Sequence, residues 1–136
     1  VARRGSAGHG KEQGKEEIMA RAIYRHGVMN KTEARYAMKL RAFVSSGLVK
    51  EFAYEAVKLR IGEACFYTPD FMVINVDDVV EFHEVKGFWR DDARVKIKAA
   101  AEKFPFRFIA VQEVGGKWKY EEIKGKQGDS IVGGQK

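Results

Sequence analysis

Apolar residues fall at helical spacing in two stretches of the chain and at alternating spacing through most of the remainder. Residues 30–44 carry the stripe Ala37, Leu40 and Val44, with Gly47 as a stop signal, which predicts a helix. Residues 91–104 place Ala93, Ile97, Ala100, Ala101 and Phe104 on one face, and Pro105 ends a second helix there. Between the two, residues 49–61 alternate irregularly and predict a strand, Gly62 turns the chain, and residues 64–75 return as a second strand. Val76, Asp77 and Asp78 turn into a third strand over 79–86, so that the three form a meander. Residues 106–114 predict a further strand, joined to the third by a β-α-β crossover, and Gly115-Gly116 turns into an edge strand over 118–123. The order predicts an α+β fold, a mixed sheet flanked by helices, in a single domain over residues 18–124. A short helical turn at 18–24, a basic tail at 1–17 and a Gly-rich tail at 125–136 complete the expected organisation, and both tails are expected to be flexible.

The third strand breaks the pattern. Alternate side chains of a strand share a face, so Val80, Phe82, Glu84 and Lys86 line up together. A face that starts apolar thus ends in a carboxylate and an ammonium, groups that bury badly unless paired or bound. Asp70 likewise begins the row that holds Met72 and Ile74, and Pro69 beside it donates no ladder hydrogen bond, so the strand is expected to be irregular there. Glu33 stands on the same stripe as Ala37, Leu40 and Val44, facing the sheet. It also has the spacing of a capping box with Asn30, which would hold its carboxylate at the helix start instead. Two acids and a lysine at strand ends suit a hard divalent cation such as Mg²⁺, and with it hydrolysis of a phosphodiester.

Composition narrows the partner. The 136 residues carry a formal charge of +6, which favours a polyanion. Cys65 is the sole cysteine, which excludes an intramolecular disulfide and a cysteine-based zinc cage. The charged N-terminal region has no apolar run of the signal-peptide or membrane kind, so a cytoplasmic protein without membrane attachment is expected. Arg3, Arg4, Lys11 and Lys15 reach along a DNA backbone or form a solvated tail, and His9 and His26 show no ligand spacing.

Tyr67-Thr68-Pro69-Asp70-Phe71 followed by Glu84-Val85-Lys86-Gly87-Phe88-Trp89 resembles the PD-(D/E)xK nuclease superfamily. Within it the likeness is to phage endonuclease I-type junction-resolving enzymes and to a related group of small phage nucleases, over residues 30–111. The resemblance implies a restriction-endonuclease-like fold, with Asp70, Glu84 and the Val85 carbonyl as metal ligands and Lys86 assisting the attacking water. Glu33, on the first helix, would complete the metal site. It further implies a Mg²⁺-dependent DNA endonuclease, with Mn²⁺ as substitute, selective for branched or Holliday-junction DNA and acting as a homodimer. Transposase-associated nucleases carry similar Tyr-Thr-Pro-Asp-Phe strings, so a DNA-cleaving subunit of a transposition complex is a second reading. A non-catalytic nucleic-acid-binding module is a third.

Neighbouring residues extend the picture. Phe88, Trp89 and Arg90 follow the lysine strand, where they would stack on an unpaired base or wedge a branch point, unless Trp89 covers the core. Arg94, Lys96, Lys98 and Lys103 give the second helix a basic face for phosphates or for solvent. His83 falls on the face opposite Glu84 and is expected to be structural, and Asp77 and Asp78 belong to the turn.

Overall fold

A computed structural model describes residues 27–125. The chain divides after Asn30, and every element named below lies in the unit that begins at Lys31. The helical turn expected at 18–24 and the tail expected at 1–17 lie outside the described residues, as does 126–136.

Helix α1 (Lys31–Ser45) leads into β1 (Val49–Tyr54), β2 (Leu59–Gly62), β3 (Cys65–Tyr67), β4 (Phe71–Asn75) and β5 (Val80–Lys86). Helix α2 (Asp91–Lys103), β6 (Arg107–Val114) and β7 (Lys117–Ile123) follow. Five strands form one mixed sheet in the order β1-β4-β5-β6-β7, and β2-β3 form a separate hairpin. The fold is α+β, as the element pattern predicts. The pair β5/β6 is parallel and is joined through α2, while β1/β4, β4/β5 and β6/β7 are antiparallel. Among the described residues, no helix is long and apolar enough to cross a membrane.

Two predicted strands are each divided. The stretch 49–61 becomes β1 and β2 in different sheets, because Glu55 turns the chain with φ +45° and gives its N–H to the Asp70 carbonyl at 2.8 Å. The stretch 64–75 becomes β3 and β4, interrupted at Thr68-Pro69-Asp70, where the proline cannot continue a ladder. The meander is therefore β1-β4-β5, with the hairpin β2-β3 inserted between its first two strands.

Both faces of β5 are covered, which explains why all but its end residues are buried. On one face Phe82 packs with Tyr67, Ile97, Ala100, Ala101 and Phe108, so the predicted apolar stripe of α2 is the stripe that meets the sheet. On the other, Tyr36 of α1 meets Phe71 edge-on with ring centroids 5.5 Å apart. His83 shares that second face, opposite Glu84 as the alternation predicts. It is buried, its Nδ1 lies 2.6 Å from the Tyr36 hydroxyl, and its Nε2 lies 2.9 Å from Glu81. Glu81 also pairs with Arg107 at 2.5 Å. The hydrogen bond to His83, opposed by burial and aided by the charges of His83 and Arg107, holds the Glu81 carboxyl below its ordinary range.

Gly47 ends α1 as predicted. Its φ is +79°, its N–H bonds to the Val44 carbonyl at 3.1 Å, and Leu48 N–H bonds to the Phe43 carbonyl at 2.9 Å, the paired bonds of a Schellman cap. A Cβ at Gly47 would meet nothing within 4 Å, so only the left-handed backbone resists it. Gly47→Ala is therefore expected to lower unfolding stability by about 1 kcal/mol, read from the denaturant midpoint at unchanged slope.

Candidate active site

Antiparallel pairing of β4 with β5 sets Phe71 opposite His83, so the entry to β4 and the exit of β5 meet at one end of the sheet. Asp70 stands just before β4, and Glu84 and Lys86 stand at the end of β5. The ladder stops at Phe71, and beyond it the Asp70 carboxylate accepts the Val85 N–H at 2.8 Å. Glu84 accepts from the Tyr67 hydroxyl at 2.7 Å and from the Asp70 N–H at 3.3 Å, while its other oxygen lies 3.2 Å from Lys86 Nζ. Asp70 and Glu84 are buried, and the Lys86 side chain is one-third exposed. Sequence alternation thus brings the two acids and the lysine together.

Their charges do not balance. Burial, and then the negative charge of Glu84, push the Asp70 carboxyl up to about 8, against the pull of Lys86 and the Val85 N–H. Burial draws the Lys86 ammonium down, but Glu84, Asp70 and Glu33 more than offset it and its pKa is raised, so Lys86 stays a cation. Burial and the Glu84 charge keep the Tyr67 hydroxyl protonated, which fixes it as a donor. One lysine for two buried acids leaves room for a further positive charge.

That donor set fits a hard divalent cation. Mg²⁺ is commonly held by one or two carboxylates, with waters and substrate phosphate filling the remaining positions. Among the described residues no three His, Cys, Asp or Glu side chains are grouped to hold one ion, so the acids present a pair and not a closed cage. Glu33 is buried on the sheet-facing side of α1 as predicted, and the Tyr54 hydroxyl donates to its carboxylate at 2.8 Å. Its charge is felt at both Asp70 and Lys86, yet it does not join them in one cluster.

A cleft of about 410 Å³ opens beside the pair. Glu84 and Lys86 line it from β5, Phe66 and Thr68 from the hairpin side, and Asp92 and Lys96 from α2. Asp70 is not among its lining residues. Of the basic residues expected at the surface, Lys96 reaches the cleft, whereas Lys98 and Arg90 are exposed without lining it. Arg94 is tied to Glu121 at 2.7 Å and lies 5.6 Å from the Trp89 ring. Trp89 packs against the core beneath α2, the alternative weighed for it. Asp77 and Asp78 are exposed in the β4-β5 turn, where the Asn75 carboxamide oxygen accepts from Asp77 N–H at 2.9 Å.

Sequence reasoning missed the tyrosines that hold the acids. Tyr67 shares hairpin register with Leu59, and its place on the buried face follows from alternation once the hairpin is known. Tyr54 carries no local signal for its bond to Glu33, because that bond joins residues on β1 and α1. Comparison with known proteins found no matching family model, no matching curated protein and no matching solved structure.

Proposed function

We propose that this chain is a divalent-metal-dependent endonuclease of DNA, built on a restriction-endonuclease-like version of its α+β fold. The observation that carries the reading is the buried pair Asp70 and Glu84, sharing one lysine and leaving Asp70 with a carboxyl pushed up to about 8. Such a pair is short of positive charge, and phosphodiester hydrolysis needs positive charge where oxygen charge develops.

Asp70, Glu84 and the Val85 carbonyl are the groups that would hold the cation, with Glu33 adding to the field from α1. A bound Mg²⁺, or Mn²⁺ in its place, would supply Lewis acidity and a more acidic attacking water. Tyr67 orients Glu84 by holding one carboxylate oxygen, and the Val85 N–H orients Asp70 in the same way. Lys86 remains protonated, so it acts as a fixed charge beside the phosphate and not as a base. Lys96 lies across the cleft, in reach of a neighbouring phosphate. Selectivity for branched DNA, and a homodimer that delivers two coordinated cuts, follow from the phage-type resemblance.

One observation favours a non-catalytic nucleic-acid-binding module. Both oxygens of Glu84 already have partners in Tyr67, Asp70 N–H and Lys86. The test is Mg²⁺-dependent cleavage of matched four-way-junction, flap, single-stranded and linear duplex DNAs by wild type and Lys86→Ala, with binding followed alongside. Cutting of branched DNA is expected, with a loss of at least about a hundredfold in the variant and binding retained. Binding without cutting, in Mn²⁺ as well, would leave the binding module or a partner-dependent transposition subunit in its place.

A further inference from the structure

The hairpin β2-β3 has two different faces. Val57, Leu59, Ile61 and Tyr67 pack toward the core beneath α2. Arg60 and Phe66 are directly paired across the hairpin, and Lys58 alternates with Leu59 onto the same outer side. Phe66 is 44% exposed there, with the Lys58 ammonium 4.6 Å from its ring centroid, and Phe66 also lines the cleft that holds Glu84 and Lys86. An exposed aromatic ring thus lies under the Lys58 ammonium, paired across the hairpin with Arg60, whose Nε donates to the Gly62 carbonyl at 3.2 Å. It stands at the rim of a cleft that also holds Lys86 and Lys96 and has the chemistry of a nucleotide-binding surface. Single strands are bound by stacking bases on aromatic rings while cations follow the backbone.

We propose that Phe66, with Lys58 and Arg60, forms a stacking platform for one unpaired nucleobase next to the phosphate held in the cleft. This rests on the nucleic-acid reading of that cleft and specifies its substrate. A base inside a duplex has both π faces covered by its neighbours, so only an unstacked base presents a face to Phe66. The incoming base takes the place of the Lys58 ammonium over the ring, and the ammonium moves to the phosphate. Asp92 lines the cleft from α2 one helical turn before Lys96 and disfavours a phosphate beside itself, which sets the backbone toward Lys86. The platform therefore selects single strands, flaps and branch points over continuous duplex, through shape and not through base sequence.

The test is fluorescence anisotropy with a short labelled oligothymidylate and with a matched duplex, in EDTA so that no cation supports cutting. Wild type, Phe66→Ala, Phe66→Leu, Phe66→Trp and Phe88→Ala are compared, the last because Phe88 is the other exposed ring near Lys86, at 78% exposure. Phe66→Ala is expected to weaken single-strand binding about tenfold, Phe66→Leu not to rescue it, and Phe66→Trp to restore it, with duplex binding equal throughout. Phe66→Ala or Phe66→Leu binding like wild type, a loss that follows Phe88→Ala instead, or no single-strand binding by wild type would each overturn the platform. Cleavage in Mg²⁺ is run separately. DNA that is cut without dependence on Phe66 sinks the platform alone, and Phe66-dependent binding without any cutting sinks the nuclease reading alone.

Discussion

Asp70→Asn is expected to abolish cation-dependent cleavage and, at pH 8 without divalent cation, to make the protein more stable than the wild type. The two effects have one cause. Asp70 is buried beside Glu84, and its carboxyl is pushed up to about 8 from an ordinary 3.8. Folding at pH 8 thus opposes an ionisation that the unfolded chain makes freely, and the linked cost is on the order of 5 kcal/mol. Asparagine removes that cost. It keeps an oxygen for the Val85 N–H, so the end of the ladder stays closed. It also removes the anion on which cation binding depends, and cleavage should fall at least about a hundredfold. Thermal unfolding in EDTA and in Mg²⁺ separates these statements. Mg²⁺ should raise the wild-type midpoint and leave that of the variant in place. A variant less stable than wild type in EDTA would mean that the charge at Asp70 carries no strain, and a variant cutting at the wild-type rate would remove Asp70 from the chemistry.

The part of the fold legible in the sequence is the part written in local periodicity. Both helices, the β4-β5 turn and the β5-α2-β6 crossover follow from spacing and punctuation that a single stretch contains. The hairpin was hidden because residues 49–61 look like one irregular strand. The break comes at Glu55, a residue with no glycine's preference for φ +45°, held there by a carbonyl from Asp70 far along the chain. Tertiary contact decided the backbone at that point, and local preference could not report it. Pro69 was a clearer sign: it marked an irregularity beside Asp70, and the structure divides the strand there.

The candidate site was legible for a related reason. Glu84 and Lys86 violate the parity of their own strand, and a violation of a buried pattern is visible without knowing the partner strand. What the pattern could not show is what holds each acid. Tyr67 reaches Glu84 and Tyr54 reaches Glu33 across gaps of 17 and 21 positions, through pairings between elements. The same limit applies to Phe66. Its neighbours in sequence, Cys65 and Tyr67, give it no cation, and Lys58 and Arg60 come beside it only when the hairpin closes. Trp89, the aromatic more conspicuous in the sequence, has the larger apolar area to bury and goes to the core.

The unbalanced pair also fixes how the wild type should respond to pH. Because the folded pKa of Asp70 lies near 8 and its ordinary value near 3.8, the folded state binds the additional proton in that window. The stability that Asp70 contributes is fully present below about pH 4 and is lost as pH rises toward 8, at a slope of at most about 1.4 kcal/mol per unit. Glu81 acts in the opposite sense. Its carboxyl is held low by His83, so its contribution is present above the ordinary carboxylate range and is lost on acidification. Cation-free protein should therefore be most stable in mildly acid solution, with a decline toward pH 8 that Asp70→Asn removes. A divalent cation competes with the Asp70 proton, so its affinity should rise about tenfold per unit between pH 6 and 8 and level off above. Near pH 7 binding should release close to one proton, measured by calorimetry in two buffers of different ionisation enthalpy. Lys86, already a cation throughout that range, adds nothing to the count. An affinity independent of pH over the window, or proton release that survives in Asp70→Asn, would show that the cation and the Asp70 proton do not share a site.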